Sequence, residues 1–126
     1  MKKLEKIPMS WEVINKDNVL MLVDQKGKVK SSIVYGINED SSGKKFLELI
    51  SVASGKEQGR GYYGVLYSGL ESFARTQGVN YISGFIKPEN TRSLLVHQHF
   101  GFSNMQYLVY GNGREKRIHV EKQLSI

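Results

Sequence analysis

Residues Gln58–Gly64 read QGRGYYG, and the last six of them, Gly59 to Gly64, fit the spacing G-x-G-x-x-G. Glycines at that spacing let a backbone approach a phosphate closely. In a dinucleotide-binding βαβ unit the motif directly follows the first strand, and an acidic residue stands about 20 residues further on. Here it follows a third apolar run, and the positions around Gly84 (Tyr81, Ile82, Ser83, Phe85, Ile86) carry no acid. A protein-kinase glycine loop needs H-R-D and D-F-G, which the chain lacks. A Walker A loop ends in Gly-Lys-Ser/Thr, whereas Val65 follows Gly64. Two readings remain. Either the unpaired amides of a helix that opens here capture an anion, with Lys56 and Arg60 adding charge, or the segment is a glycine-rich turn with no ligand.

The flanks decide what kind of sheet carries the segment. Upstream, Asn18 to Asp24 (NVLMLVD) is a short apolar strand ending at the turn QKGK, and Val29 to Ile37 is its hairpin partner. Phe46 to Ala53 (FLELISVA) is apolar at nearly every position, which predicts a central strand covered on both faces. Downstream, Tyr62, Leu66, Leu70 and Phe73 form the stripe of an amphipathic helix over Tyr62 to Thr76, stopped by Gly78. Val79 to Ile86 is the next strand. Asn90 is placed to cap a second helix with the body TRSLLVHQHF, which Gly101 ends. Strands over Met105 to Tyr110 and Arg117 to Val120 flank the turn GNG. The order β-β-β-α-β-α-β-β predicts an α/β (α+β) protein: a mixed, mostly antiparallel sheet with one β-α-β crossover and a C-terminal hairpin.

With 126 residues the chain is expected to form one domain over residues 1–126. No apolar run approaches the roughly 18 residues of a membrane span, and the start MKKLEKIPMSWEV lacks the apolar core of a secretory signal. Neither a membrane nor export is therefore expected. The absence of cysteine excludes disulfides, thiolate metal sites and a cysteine nucleophile, and fits a reducing cytoplasm. A formal charge of +6 suits a polyanionic partner and argues mildly against a polycationic one. The lysines are scattered, and no nucleic-acid motif accompanies them, so nucleic acid is not the expected partner.

Taken together, Gln58-x-x-Gly61 at a strand-to-helix junction, a strand, and then Asn90-x-x-Ser93-x-x-Val96-His97-x-x-x-Gly101-Phe102 resemble the GNAT superfamily of acetyl-CoA-dependent N-acetyltransferases. That family's loop reads Q/R-x-x-G-x-G/A and its later helix N-x-x-A-x-x-L-Y-x-x-x-G-F. The resemblance spans about Asn18 to Val120. It implies direct transfer of an acetyl group from acetyl-CoA to a primary amine, with no metal. A non-catalytic acetyl-CoA-binding module on the same fold is the alternative.

Residue by residue, the resemblance puts the coenzyme A pyrophosphate on the amides of Gln58, Gly59, Arg60, Gly61, Tyr62 and Tyr63, with Gly64 adjacent. It puts the pantetheine arm along Ile50, Ser51, Val52 and Ala53, against Tyr81 to Phe85. Asn90 and Ser93 match cofactor-contacting positions, and Asn90 is equally a helix cap. The N–H near Val52 is the implied oxyanion donor. His97 stands where many members carry the tyrosine that protonates the leaving thiolate; the other reading is a structural histidine, with Tyr107 as a substitute acid. Glu48, on one strand face with Ile50 and Val52, is the candidate base, with Glu39 and Asp40 weaker alternatives. Tyr63 replaces the family's small residue, and the loop before Gln58 is one residue longer than is common. The front is also short: about 17 residues precede Asn18, so the acceptor cleft is expected to be open, lined by Trp11, or completed by a second subunit in a homodimer.

Overall fold

The computed structural model describes residues 8–53, 62–103 and 105–124. Its strands are β1 (Glu12–Lys16), β2 (Val19–Val23), β3 (Val29–Glu39), β4 (Lys45–Ala53), β5 (Tyr81–Ile86), β6 (Gln106–Tyr110) and β7 (Glu115–Gln123). The helices are α1 (Tyr62–Thr76), between β4 and β5, and α2 (Thr91–His99), between β5 and β6. Hydrogen bonding follows the order β1-β2-β3-β4-β5-β7-β6 in a seven-stranded sheet. The pair β4–β5 is parallel, and the antiparallel pairs include β1–β2, β2–β3, β5–β7 and β6–β7. The expected crossover and closing hairpin are both present. Among the described residues no helix is long and apolar enough to cross a membrane.

β1 is an addition to the expected order. Its residues, EVINK, are mostly exposed, so no buried face announces it in the sequence. Backbone pairing to β2 and a tight turn hold it instead. Asp17 and Asn18 both take positive φ, 53° and 61°, as a two-residue hairpin turn with the twist of its strands requires.

By internal contacts the chain divides into two units, residues 1–36 with 50–77, and residues 37–49 with 78–126. In the first, Leu20, Leu22, Ile33 and Tyr35 of β2 and β3 are buried, as are Leu66, Tyr67, Leu70 and Ala74 of α1. Tyr62, Leu66 and Leu70 of the predicted stripe are buried, and half-buried Phe73 meets the Tyr35 ring edge-on at 5.8 Å between centroids. In the second, Leu47, Leu49, Ile82, Ile86, Val120 and Phe102 are buried. A Cβ on Gly84 would meet Val120 at 3.6 Å and Leu49 at 3.8 Å, ordinary packing distances.

β4 departs from expectation. Leu47 and Leu49 are buried, but Phe46 and Glu48 are only half-buried and Ile50–Ala53 are exposed. The strand is covered on one face, and its apolar C-terminal end is left open.

The same turn is built twice. In Asp24-x-x-Gly27-Lys28 and Asp40-x-x-Gly43-Lys44 the aspartate Oδ1 accepts from two backbone amides, each at 2.9 Å, and the glycine takes positive φ. Asp40 also accepts from the Ser42 hydroxyl (2.7 Å) and the Tyr81 hydroxyl (2.8 Å). These donors, the Ser42 hydroxyl foremost, hold its carboxyl down at about 2. Because the folded value is depressed, this stabilisation is complete above the ordinary value of 3.8 and is lost as pH falls through about 2. Thermal melts between pH 6 and 2 are therefore expected to show a smaller acid-side loss of stability for Asp40→Asn than for the wild type. An equal loss would mean that the carboxylate adds nothing there.

Candidate active site

The first unit carries the end of β4 and the start of α1. Ile50 is 60% exposed and Val52 44%, an unusual state for apolar strand residues. Ser51 and Ala53 are exposed as well, and the Ala53 carbonyl accepts from the Ser31 hydroxyl at 3.3 Å. Over the described residues α1 runs from Tyr62, so Tyr62, Tyr63 and Gly64 stand at its N-terminal end. Gln58, Gly59, Arg60 and Gly61 lie outside the described residues. The Tyr63 ring is turned onto Tyr67, 6.0 Å between centroids, so it runs along the helix rather than over its tip. Burial pushes the Tyr63 hydroxyl pKa up. Trp11 is fixed in the same unit: its Nε1 donates to Gln25 Oε1 (3.1 Å), and its ring meets the edge of Tyr62 at 5.5 Å.

The second unit holds an open groove of about 380 Å³ on the half-exposed face of β4, β5 and β7. Strand register orders its lining. Glu48 is level with Ser83, and Ser83 with Glu121, so one row crosses three strands. On one side of that row Phe46 stacks on Tyr81, 5.2 Å apart and 6° from parallel. On the other, Phe85 stacks on His119 at 4.8 Å. Ser83, buried, lies 2.7 Å from His119 Nε2 through its hydroxyl. Glu39 and Asp40 also line the groove. Burial first, and the bond to Asp40 second, raise the Tyr81 hydroxyl to about 12.

Glu48 thus stands in a groove, half-buried, its side chain making no hydrogen bond or ion pair among the described residues. The other expected site residues fare differently. Asn90 is an N-cap: its side chain accepts from the Ser93 amide at 3.1 Å. His97 is buried, and its Nδ1 lies 2.7 Å from the Ser93 carbonyl, which can only accept, so Nδ1 carries the proton. Its ring meets Phe102 edge-on at 4.9 Å. Burial lowers its pKa below the ordinary 6.5. Burial therefore disfavours the charged form that a histidine acid would use. An NMR titration of the His97 ring is expected to show its midpoint below 6.5; a midpoint above it would restore the charged acid. Tyr107 is exposed on β6.

His119 and Glu121 were not among the expected site residues, and Ser83 entered only within the stretch Tyr81 to Phe85 set against the pantetheine arm. Their signal was present, because Tyr81, Ser83 and Phe85, like His119 and Glu121, alternate with period two onto one strand face. Which faces meet depends on register between β4, β5 and β7, and a linear pattern does not encode that. No group of His, Asp and Glu among the described residues could hold a metal ion.

The architecture is that of the GNAT acetyltransferases. The NatC complex bound to Gag peptide and CoA superposes with a TM-score of 0.75 at 17% identity, over 86% of this chain and 72% of that one. The NatB acetyltransferase complex bound to CoA and MES gives 0.74 at 16%, over 86% and 74%. The ribosomal-protein-S18-alanine N-acetyltransferase from Escherichia coli gives 0.69 at 17%, over 95% and 73%. At this level of identity the likeness establishes the fold. No protein-family profile matches the sequence, and no curated protein sequence does.

Proposed function

We propose that this protein moves the acetyl group of acetyl-CoA directly to a primary amine. One observation carries the reading: within the first unit, an exposed apolar strand end, Ile50–Ala53, precedes a helix, and a helix N-terminus favours an anion. That pairing fits a ligand with a thin, amide-bearing arm and a pyrophosphate, and the sequence between the two elements supplies Gln58, Gly61 and Arg60. The CoA-bound neighbours of this fold support it.

In this reading backbone N–H groups of β4 pair with the pantetheine arm, and the N–H near Val52 is the donor for the developing oxyanion. The amine nitrogen attacks the thioester carbonyl carbon; the C–N bond forms, the C–S bond breaks, and coenzyme A leaves as the thiolate. Glu48 accepts the proton that the amine loses. The thiolate is then protonated by Tyr107 or by water, since burial disfavours the charged form of His97 and its Nδ1–H is engaged with Ser93.

A second reading, an acetyl-CoA-binding module without turnover, is favoured by that same engagement of His97. Titration calorimetry with acetyl-CoA tests what the two readings share. Binding that weakens when the 3′,5′-ADP portion is removed is expected, and no binding to wild-type protein would refute both.

A further inference from the structure

The chain is cationic as a whole, yet the groove of the second unit has the opposite character. Glu39, Asp40, Glu48 and Glu121 line it, and no lysine or arginine does among the described residues. Its order is specific. Glu48, Ser83 and Glu121 form one row across β4, β5 and β7, which at about 4.8 Å per strand sets the two carboxylate-bearing Cα atoms about 10 Å apart. A stacked aromatic pair flanks each side of the row, Phe46–Tyr81 and Phe85–His119. The polar groups between the two ends are already matched to each other, since Ser83 Oγ and His119 Nε2 lie 2.7 Å apart. Glu121 is held only loosely: its Oε1 stands 3.7 Å from that nitrogen and its Oε2 accepts a long 3.5 Å bond from the Gln123 side chain, which leaves lone pairs for a ligand cation. Two carboxylates at the ends, an internally satisfied middle and aromatic walls complement a ligand with a cation at each end of an apolar stem.

We propose that this groove binds a linear alkyl diamine or polyamine as the acetyl acceptor, its distal ammonium at Glu121 and its reacting amine at Glu48. The assignment rests on the transferase reading, in which Glu48 is the base. The methylene stem lies against the aromatic pairs, and cation–π attraction between their rings and the ammonium ends adds to the carboxylate field. A neutral monoamine end leaves Glu121 without its partner, and a carboxylate-bearing acceptor meets like charge at every wall. The net charge of +6 does not oppose a polycation here, because charges more than a Debye length away are screened far more than the carboxylates a few ångströms from the ligand.

Equilibrium binding to the full chain, without acetyl-CoA, tests this using 1,4-diaminobutane, 1-aminobutane and 4-aminobutanoate, followed on the side-chain resonances of His119, Phe85 and Tyr81. The diamine is expected to bind about tenfold more tightly than the monoamine, with a preference that shrinks as salt rises from about 0.05 to about 0.5 M. Glu121→Gln is expected to remove most of that preference. A diamine bound no more tightly than the monoamine, or one that shifts resonances outside the groove, overturns the proposal whether or not the variant folds. Calorimetry with acetyl-CoA separates the two levels. Diamine preference without acetyl-CoA binding contradicts the transferase reading and confirms the groove's cation selectivity. Acetyl-CoA binding without diamine preference does the reverse.

Discussion

Glu48→Gln is expected to lower turnover by about 10²–10⁴-fold, the usual contribution of a positioned general base, while leaving acetyl-CoA affinity unchanged. The substitution is nearly isosteric, and the groove is open, so the fold has little to lose. The Glu48 side chain makes no hydrogen bond or ion pair among the described residues, and its backbone pairs with β5 whatever its side chain. If it is the base, the loss appears in kcat and kcat/KM together and diminishes as the pH is raised, because more of the amine is then already neutral. A variant that turns over at the wild-type rate would remove Glu48 from the chemistry.

The other large effect lies in the core of the first unit. Leu66, fully buried on α1, is expected to cost about 2–5 kcal/mol when replaced by Ala, read as a lower urea midpoint with unchanged slope. For a chain of this length that is a large share of a total of roughly 6–19 kcal/mol. Leu95, on α2 and 65% exposed, supplies the contrast; Leu95→Ala is expected to change stability by no more than about 0.5 kcal/mol. Similar losses at the two leucines would mean that α1 does not bury its stripe.

The helices were the most legible part of the sequence, because their signals are local. Tyr62, Leu66 and Leu70 are the buried face of α1, and Gly78 and Gly101, which follow α1 and α2, take φ of 71° and 91° as stop residues should. Asn90 proved a cap through a bond spanning three residues. β1 was not legible as an apolar pattern because it buries almost nothing; only Asp17-Asn18, a turn pair tolerant of positive φ, marked it. β4 misled for a different reason. Burial of apolar residues is the rule that reads a run such as FLELISVA, and Ile50 and Val52 violate it. Local rules are broken most readily at functional sites, and this is where the thioester arm is proposed to lie.

The groove shows the same limit from the other side. Glu48 was legible as an acid inside an apolar run. Ser83, His119 and Glu121 become its neighbours only through strand pairing over tens of residues. The chain's net charge of +6 pointed away from the acidic surface that the pairing assembles.

The central claim is that acetyl transfer occurs, and the most direct measurement follows both of its products. Wild-type protein is incubated with acetyl-CoA and each of a panel of primary amines, with free thiol and N-acetylated amine measured by mass spectrometry. The account predicts thiol release that depends on the amine and matches the acetylated product one for one. Tight binding of acetyl-CoA with no thiol released for any amine would contradict it and leave a binding module on this fold.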